Sequence, residues 1–210
     1  AEGWLTPRAV AAGAWTCFAL AFACGIYLVW LGGWPIVAIG LASLAAGWAY
    51  TSGPRPIAYG PLGEGFVFVF FGLVAVGGTY YLQTASLNTM VLHAASLLGL
   101  HAAAVITVNN YRDRDGDQRS GKHTLAVRLG RPATRILYAL EMLLPYSLLL
   151  PLSSTGSLRL LPALTLPLAL ILIRRFWRTP PGPAFNTLLA QTAALQFVFA
   201  CLLAAGFFLV

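Results

Sequence analysis

Charged residues are scarce in this sequence of 210 residues, where they make up only 9% of the total, compared with about 25% in typical soluble domains. Hydrophobic residues account for 59%, so an ordinary soluble domain is excluded. Uncharged stretches of roughly 20 residues are typical of helices that cross a membrane. They are too long and too uniformly apolar for the alternating strands of a membrane β-barrel.

Cysteine and histidine are also rare, with three residues of each. Cys17, Cys24 and Cys201 lie inside apolar stretches without metal-ligand spacing, so we predict small buried side chains and no disulfide. His93 and His101 fall within one apolar stretch, and packing hydrogen bonds are the favoured interpretation. For Glu141, deep within another stretch, packing and a functional role such as substrate contact both stay open.

The apolar stretches predict an all-α transmembrane bundle that forms one domain over residues 1–210. Seven spans are expected. Their predicted ranges are 6–31, 34–50, 62–83, 87–110, 131–152, 158–177 and 185–210.

Nearly all basic residues lie on one side of the predicted transmembrane topology. Of the 13 lysines and arginines, only Arg159 falls on the opposite side. The positive-inside rule therefore places the basic side in the cytoplasm. This distribution explains the net charge of +7 by topology and contact with the lipid bilayer, and we expect no nucleic-acid partner.

Three of the six acidic residues lie in one short segment, 109–124, after the fourth span. If the preceding helix continues, Asn110, Asp113 and Asp117 share a face. Mg²⁺ is commonly held by one or two carboxylates together with substrate phosphates. Basic side chains that bind phosphate directly are interleaved with these acids; they are Arg112, Arg114, Arg119 and Lys122. The pattern indicates a site for Mg²⁺ and a diphosphate.

A simpler alternative is that these acids and bases pair with each other on a solvated loop. A calcium-binding loop is excluded, because it requires glycine and glutamate where Gln118 and Thr124 stand.

Two segments resemble the MenA branch of the UbiA superfamily of membrane prenyltransferases. Residues 109–117 read NNYRDRDGD, and residues 121–127 read GKHTLAV; together they are similar to the second aspartate motif of that superfamily. Residues 50–59 read YTSGPRPIAY, followed by LGE at 62–64, and are similar to a loop of the MenA branch except for Ser52.

The resemblance implies a nine-helix fold of which this chain matches helices three to nine. The first aspartate motif and two helices would then be absent, and we expect the chain to be N-terminally incomplete. The implied activity is transfer of a polyprenyl group from a prenyl diphosphate to 1,4-dihydroxy-2-naphthoate, with loss of diphosphate and CO2, in menaquinone biosynthesis. The implied location is a bacterial-type plasma membrane, with the site facing the cytoplasm.

The resemblance also implies roles for individual residues. Asp113 and Asp117 would hold Mg²⁺ and act in catalysis together with Lys122. The remaining implied residues would bind substrate: Tyr50, Arg55, Asn109, Asn110, Arg112 and Asp115.

Other functions stay open. A related enzyme with another aromatic acceptor, such as 4-hydroxybenzoate or homogentisate, is the nearest alternative. A membrane transporter is less favoured, since the acids cluster near the membrane surface rather than at its midplane. A structural subunit or an inactive fragment would not require Asp113 or Asp117.

Overall fold

Seven helices of sufficient length and hydropathy to cross a membrane make up the fold, as the sequence predicts. The computed structural model describes residues 5–153 and 156–209, and within them there is no β-strand. The helices are α1 (Pro7–Gly32), α2 (Trp34–Thr51), α3 (Gly63–Thr84), α4 (Thr89–Arg119), α5 (Leu125–Leu152), α6 (Ser157–Arg178) and α7 (Ala184–Phe208).

Local signals in the sequence set several helix ends. Thr6 accepts a hydrogen bond from the Ala9 amide at 3.2 Å and caps α1, whose first residue is proline. Gly33 adopts a φ of 65° between α1 and α2, a conformation that favours glycine. Asn88 caps α4 by accepting from the Val91 amide at 2.9 Å. These caps satisfy backbone donors that the membrane interior could not.

The polar segment after the fourth span differs from the expected boundaries. We predicted that this span ends at residue 110, but α4 continues to Arg119. We predicted that the fifth span starts at residue 131, but α5 begins at Leu125 and is bent at Gly130, where φ is 74°. We expected Asn110, Asp113 and Asp117 to share a face only if the fourth helix continued beyond residue 110. The structure shows that it does.

α4 is the centre of the bundle, with more than half of its apolar segment buried, and α3, α5 and α7 pack against it. Aromatic side chains from four helices fill the core beside it. They are Tyr111, Tyr138, Phe176 and Phe185, each fully buried.

α3 approaches α4 unusually closely at a pair of glycines. A Cβ added to Gly72 would lie 2.6 Å from the Cα of Gly99. Gly72 belongs to a π-helical stretch, Phe68–Val74, within α3. π-helical turns occur often at functional sites, and this stretch follows directly after the residues that α3 contributes to the candidate site.

The first two helices contribute little to this core. α1 has no buried residue among those described, and α2 has two, Ile36 and Ala46. Cys17, Cys24 and Cys201 are exposed on the outside of the bundle, which contradicts our expectation that they are buried. The expectation failed because an apolar stretch in a membrane protein has a lipid-facing side as well as a packed one.

The contacts of half-buried His93 and buried His101 agree with packing roles. His93 shares a hydrogen bond with the carbonyl of Leu148 at 2.8 Å. His101 bonds the Leu97 carbonyl at 3.2 Å and packs against the rings of Tyr146 and Phe199.

Candidate active site

The last three turns of α4 carry the aspartates, and the helical register divides them between two sides. Asp113 and Asp117 are four residues apart and lie one above the other. Asp115 is two residues from each, which places it on the opposite side of the helix. The contacts of the three side chains follow this division.

Arg112 holds Asp113 in a two-pronged ion pair. Its Nε and Nη2 donate to the two carboxylate oxygens, both at 2.7 Å. The same guanidinium donates to Asn109 Oδ1 at 2.8 Å and to Asn186 Oδ1, at the start of α7, at 2.7 Å. Arg112 therefore links two predicted site residues, Asn109 and Asp113, to Asn186, which the sequence analysis did not select.

Asp117 pairs with Lys122 on the adjacent part of this face. Lys122 Nζ lies 3.2 Å from Asp117 Oδ1 and 5.1 Å from the centre of the Tyr59 ring. The next amide, that of His123, donates to the Tyr59 carbonyl at 2.7 Å. These contacts join the end of the aspartate segment to the loop after α2, which is the other segment that carries the resemblance.

Asn110 connects the same face to α3. Its amide donates to Glu64 Oε1 at 2.9 Å. Tyr50 lies at this junction, because a Cβ added to Gly63 would be 3.5 Å from the Tyr50 hydroxyl and 4.0 Å from the Asn110 amide nitrogen. The predicted residues Tyr50 and Asn110 are thus brought together around the start of α3.

Two of the predicted residues stand apart from this arrangement. Asp115 pairs with Arg114 at 3.0 Å and with Arg131 at 2.6 Å, and its side chain is 55% exposed. Arg55 lies exposed on the loop before Tyr59, and no ion pair of it is found within the described part of the chain. Seven of the nine predicted site residues therefore take part in these three groups of contacts at the end of α4, and Asp115 shares only a cleft with Asp113 and Asp117.

The donor set agrees with a divalent cation bound together with phosphate. Asp113, Asp115 and Asp117 line an open cleft of about 400 Å³ with Arg112, Arg119 and the turn at Pro181 and Gly182. Carboxylate oxygens are the ligands that Mg²⁺ prefers, and basic groups in the same cleft suit the phosphates that complete its coordination. In the described ranges, no group of three or more His, Cys, Asp or Glu side chains converges as a metal site.

Glu64 is the principal residue of the site that sequence reasoning did not select. It is 4% exposed and holds Asn110 in place. One signal was available, since Glu64 is a lone acid at the beginning of an apolar span and belongs to the segment that carries the resemblance. The sequence did not show that its partner on α4 is Asn110.

The match to a family model covers residues 1–190 and is described as the UbiA prenyltransferase family. The chain belongs to this family. The resemblance that we inferred from the two segments is thereby confirmed, together with the helical bundle that it implies.

Individual relatives carry more specific names. The chain is 43% identical over 133 residues to a 1,4-dihydroxy-2-naphthoate octaprenyltransferase of Mycobacterium tuberculosis, covering 63% of this chain and 46% of that protein. It is 34% identical over 194 residues to the protein of the same name from Mycobacterium leprae, covering 92% and 66%. A UbiA prenyltransferase domain-containing protein 1 homolog of Drosophila melanogaster is 35% identical over 160 residues, covering 76% and 44%. The chain thus spans about half to two thirds of the length of these relatives.

Proposed function

We propose that this chain forms the prenyltransferase domain, over residues 1–210, of an enzyme that prenylates 1,4-dihydroxy-2-naphthoate. A polyprenyl group is transferred from a prenyl diphosphate, with loss of diphosphate and CO2, as a step in menaquinone biosynthesis. The observation that carries the proposal is that the two segments resembling the MenA branch meet at one end of the bundle. They are joined there through Tyr59 with Lys122 and through Glu64 with Asn110.

The residues at this end have the properties that the reaction needs. The bond between the allylic carbon and the diphosphate oxygen breaks while a ring carbon bonds to the allylic carbon. The bond between that ring carbon and its carboxylate group then breaks. CO2 leaves, and the two electrons of this bond return to the ring. Negative charge grows on the departing diphosphate, and Lys122 and Arg112 are placed to stabilise it. The surrounding apolar helices keep water away from the allylic cation.

Asp113 and Asp117 are the residues that would hold Mg²⁺, with Asn109 and Asn110 beside them. When bound, the metal neutralises charge on the diphosphate. Both carboxylates are already paired with basic side chains, so binding of the metal and diphosphate requires an exchange of partners. Arg112, which lines the cleft, and Lys122, which is paired with Asp117, would move from carboxylate to phosphate. In this proposal the cleft faces the cytoplasm, in agreement with the basic residues around it.

The test uses membranes that contain the protein at its full encoded length. They receive 1,4-dihydroxy-2-naphthoate, a long-chain prenyl diphosphate and Mg²⁺, and the prenylated product is measured by mass spectrometry. We expect product from the wild type that requires Mg²⁺, and a loss of at least about a hundredfold for Asp113→Ala, the scale expected when electrostatic stabilisation of a transition state is lost.

Three results would change this assignment. Product that forms only with 4-hydroxybenzoate or homogentisate would keep the reaction type and overturn the acceptor. Full activity of Asp113→Ala would overturn the metal site. No transfer to any aromatic acceptor by a folded protein would overturn the enzyme itself and favour transport.

A further inference from the structure

A second open cavity lies at the basic end of α6, beside the candidate active site. Its volume is about 480 Å³. It is lined by Ile171, Arg174, Arg175, Arg178, Thr179 and Pro180. The aspartate cleft has a different lining, of which Pro181 and Gly182 come next in the chain. The two cavities therefore border the same turn, between α6 and α7, but they are built from different residues.

The three arginines of this cavity carry positive charge that no acid neutralises. Arg174 and Arg178 form no ion pair within the described ranges, and Arg175 donates to the neutral Gln191 Oε1 of α7 at 3.0 Å. The backbone dipoles at a helix C-terminus supply only about half a negative charge, which offsets a small part of three full positive charges. Arg174 and Arg178 are also four residues apart, a spacing at which like charges destabilise a helix. An anion in the cavity would relieve this repulsion.

An exposed apolar surface on α6 leads to these arginines. Leu168 and Ile171 are 42% and 50% exposed, and Ile171 is followed by Arg174 and Arg175 at spacings of three and four residues. Residues at these spacings are neighbours on the surface of a helix. From Leu168 to Arg175 the helix rises by about 10 Å. A ligand that matches both parts of this surface has an anionic head and an apolar chain.

Trp177 indicates that this end of α6 lies at a membrane interface. Its side chain is 45% exposed, and tryptophan is enriched where a helix leaves the hydrocarbon. The guanidinium carbon of Arg135, from α5, lies 5.8 Å from the centre of the Trp177 ring. The neighbouring helix therefore adds a fourth basic side chain at the level that lipid headgroups occupy.

We propose that this cavity binds the headgroup of an anionic phospholipid. The lipid phosphate lies between Arg174 and Arg178, and one acyl chain follows Ile171 and Leu168 toward the centre of the membrane. Basic pockets of transmembrane helices bind the headgroups of anionic lipids. Arginine suits this role because its planar guanidinium can donate two hydrogen bonds to the oxygens of one phosphate.

The competing explanation is that these arginines only fix the orientation of the bundle. In that case any basic residue on the same side would serve equally well, because the rule counts charges and not contacts. A lipid site instead depends on the arginines that line one cavity. Arg128 of α5 gives the comparison, since it is exposed and lies outside the cavity lining.

Native mass spectrometry of the protein at its full encoded length, in detergent, tests this site. The protein is titrated with phosphatidylglycerol or with phosphatidylcholine that has the same acyl chains. We expect the first phosphatidylglycerol molecule to bind about tenfold more tightly, and Arg174→Gln/Arg178→Gln to remove this preference, since hydrogen bonds to a charged group are lost. Arg128→Gln should change the preference little, because salt screens an exposed charge outside the site.

Two further measurements support the interpretation. Glycerol 3-phosphate, which has the headgroup phosphate without acyl chains, should not displace phosphatidylglycerol at equal concentration. Thermal unfolding without lipid should show the double variant to be at least as stable as the wild type, because repulsion between its two arginines is removed. Arg178→Gln alone replaces the double variant if that protein does not fold.

Several results would overturn the site or its ligand. Equal binding of the two lipids by the wild type, or equal losses in the double variant and Arg128→Gln, would leave orientation as the role of these arginines. Displacement by glycerol 3-phosphate would identify a soluble phosphate compound as the ligand. Tighter binding of a prenyl diphosphate that is lost in the double variant would replace the phospholipid with substrate. The prenyltransferase proposal is tested separately, by product formation and its loss in Asp113→Ala.

Discussion

Individual basic side chains at the candidate site have more than one partner. Arg112 binds Asp113, Asn109 and Asn186 at once, while Lys122 lies between Asp117 and the Tyr59 ring. Basic groups held in this way are already positioned, so they lose less conformational entropy when they bind phosphate. The same contacts keep the aspartate charges neutralised.

Replacement of Lys122 tests its role toward phosphate. We expect Lys122→Met to raise KM for the prenyl diphosphate by about tenfold, since a charge-assisted hydrogen bond to the substrate is lost. Lys122→Arg should recover part of the loss. Arg128→Gln is the matched control, because Arg128 is exposed in the following helix and its loss removes the same charge. Equal effects of Lys122→Met and Arg128→Gln would indicate a general surface potential instead.

At the scale of helices, small residues determine how closely α3 and α4 approach. The backbones meet at Gly72 and Gly99, where any side chain would overlap the other helix. Helices in membranes rely on such close packing, because no hydrophobic effect drives their association within lipid. This contact positions α3, and α3 in turn carries Glu64 to Asn110.

Alanine substitutions separate this contact from general effects on helix propensity. Gly72→Ala should lower the free energy of unfolding in detergent by about 1–3 kcal/mol, as expected for overpacking, and should reduce activity through displacement of Glu64. Gly40→Ala is the control, since an added Cβ at Gly40 has no atom within 4 Å. Thermal unfolding measures both. If the Gly72→Ala protein were as stable as the wild type, α3 and α4 could move apart without loss of stability, and the prediction would be wrong.

On the scale of the whole molecule, the packed core and the candidate site belong mainly to α3–α7. α1 and α2 present apolar side chains outward, with Trp15, Trp30 and Trp34 each at least 70% exposed. Aromatic rings of this kind are common near membrane interfaces. The loop after α2 still reaches the candidate site through Tyr59, so this part of the chain contributes to the site's structure.

The orientation of the bundle is testable by labelling of single cysteines. In a background without Cys17, Cys24 and Cys201, a cysteine at Ser52 or Ser120 should react with a membrane-impermeant maleimide from the cytoplasmic side. A cysteine at Ser86, between α3 and α4, should react only from the opposite side. Sealed right-side-out and inverted vesicles distinguish the two. Labelling of Ser52 and Ser120 from opposite sides would contradict the seven-span topology.

The sequence predicted most of the fold because two physical rules that govern membrane proteins act locally. The thickness of the hydrocarbon sets the length of an apolar span, and the penalty for moving charge across it sets the side of each basic loop. Those rules gave the seven spans and the expectation that the two matched segments lie on one side. Helical periodicity likewise gave the shared face of Asn110, Asp113 and Asp117, once α4 was seen to continue to Arg119.

Other features depend on which helix packs on which, and they were decided only by the tertiary structure. Composition did not show that Glu64 bonds Asn110 or that Asp115 pairs with Arg131. Nor could it tell an exposed cysteine from a buried one, because both would lie in equally apolar stretches. The sequence by itself determined the number of spans, since these follow from local composition, and its resemblance to the family marked the candidate site residues. The neighbours of each residue across the bundle were determined by packing between segments distant in sequence.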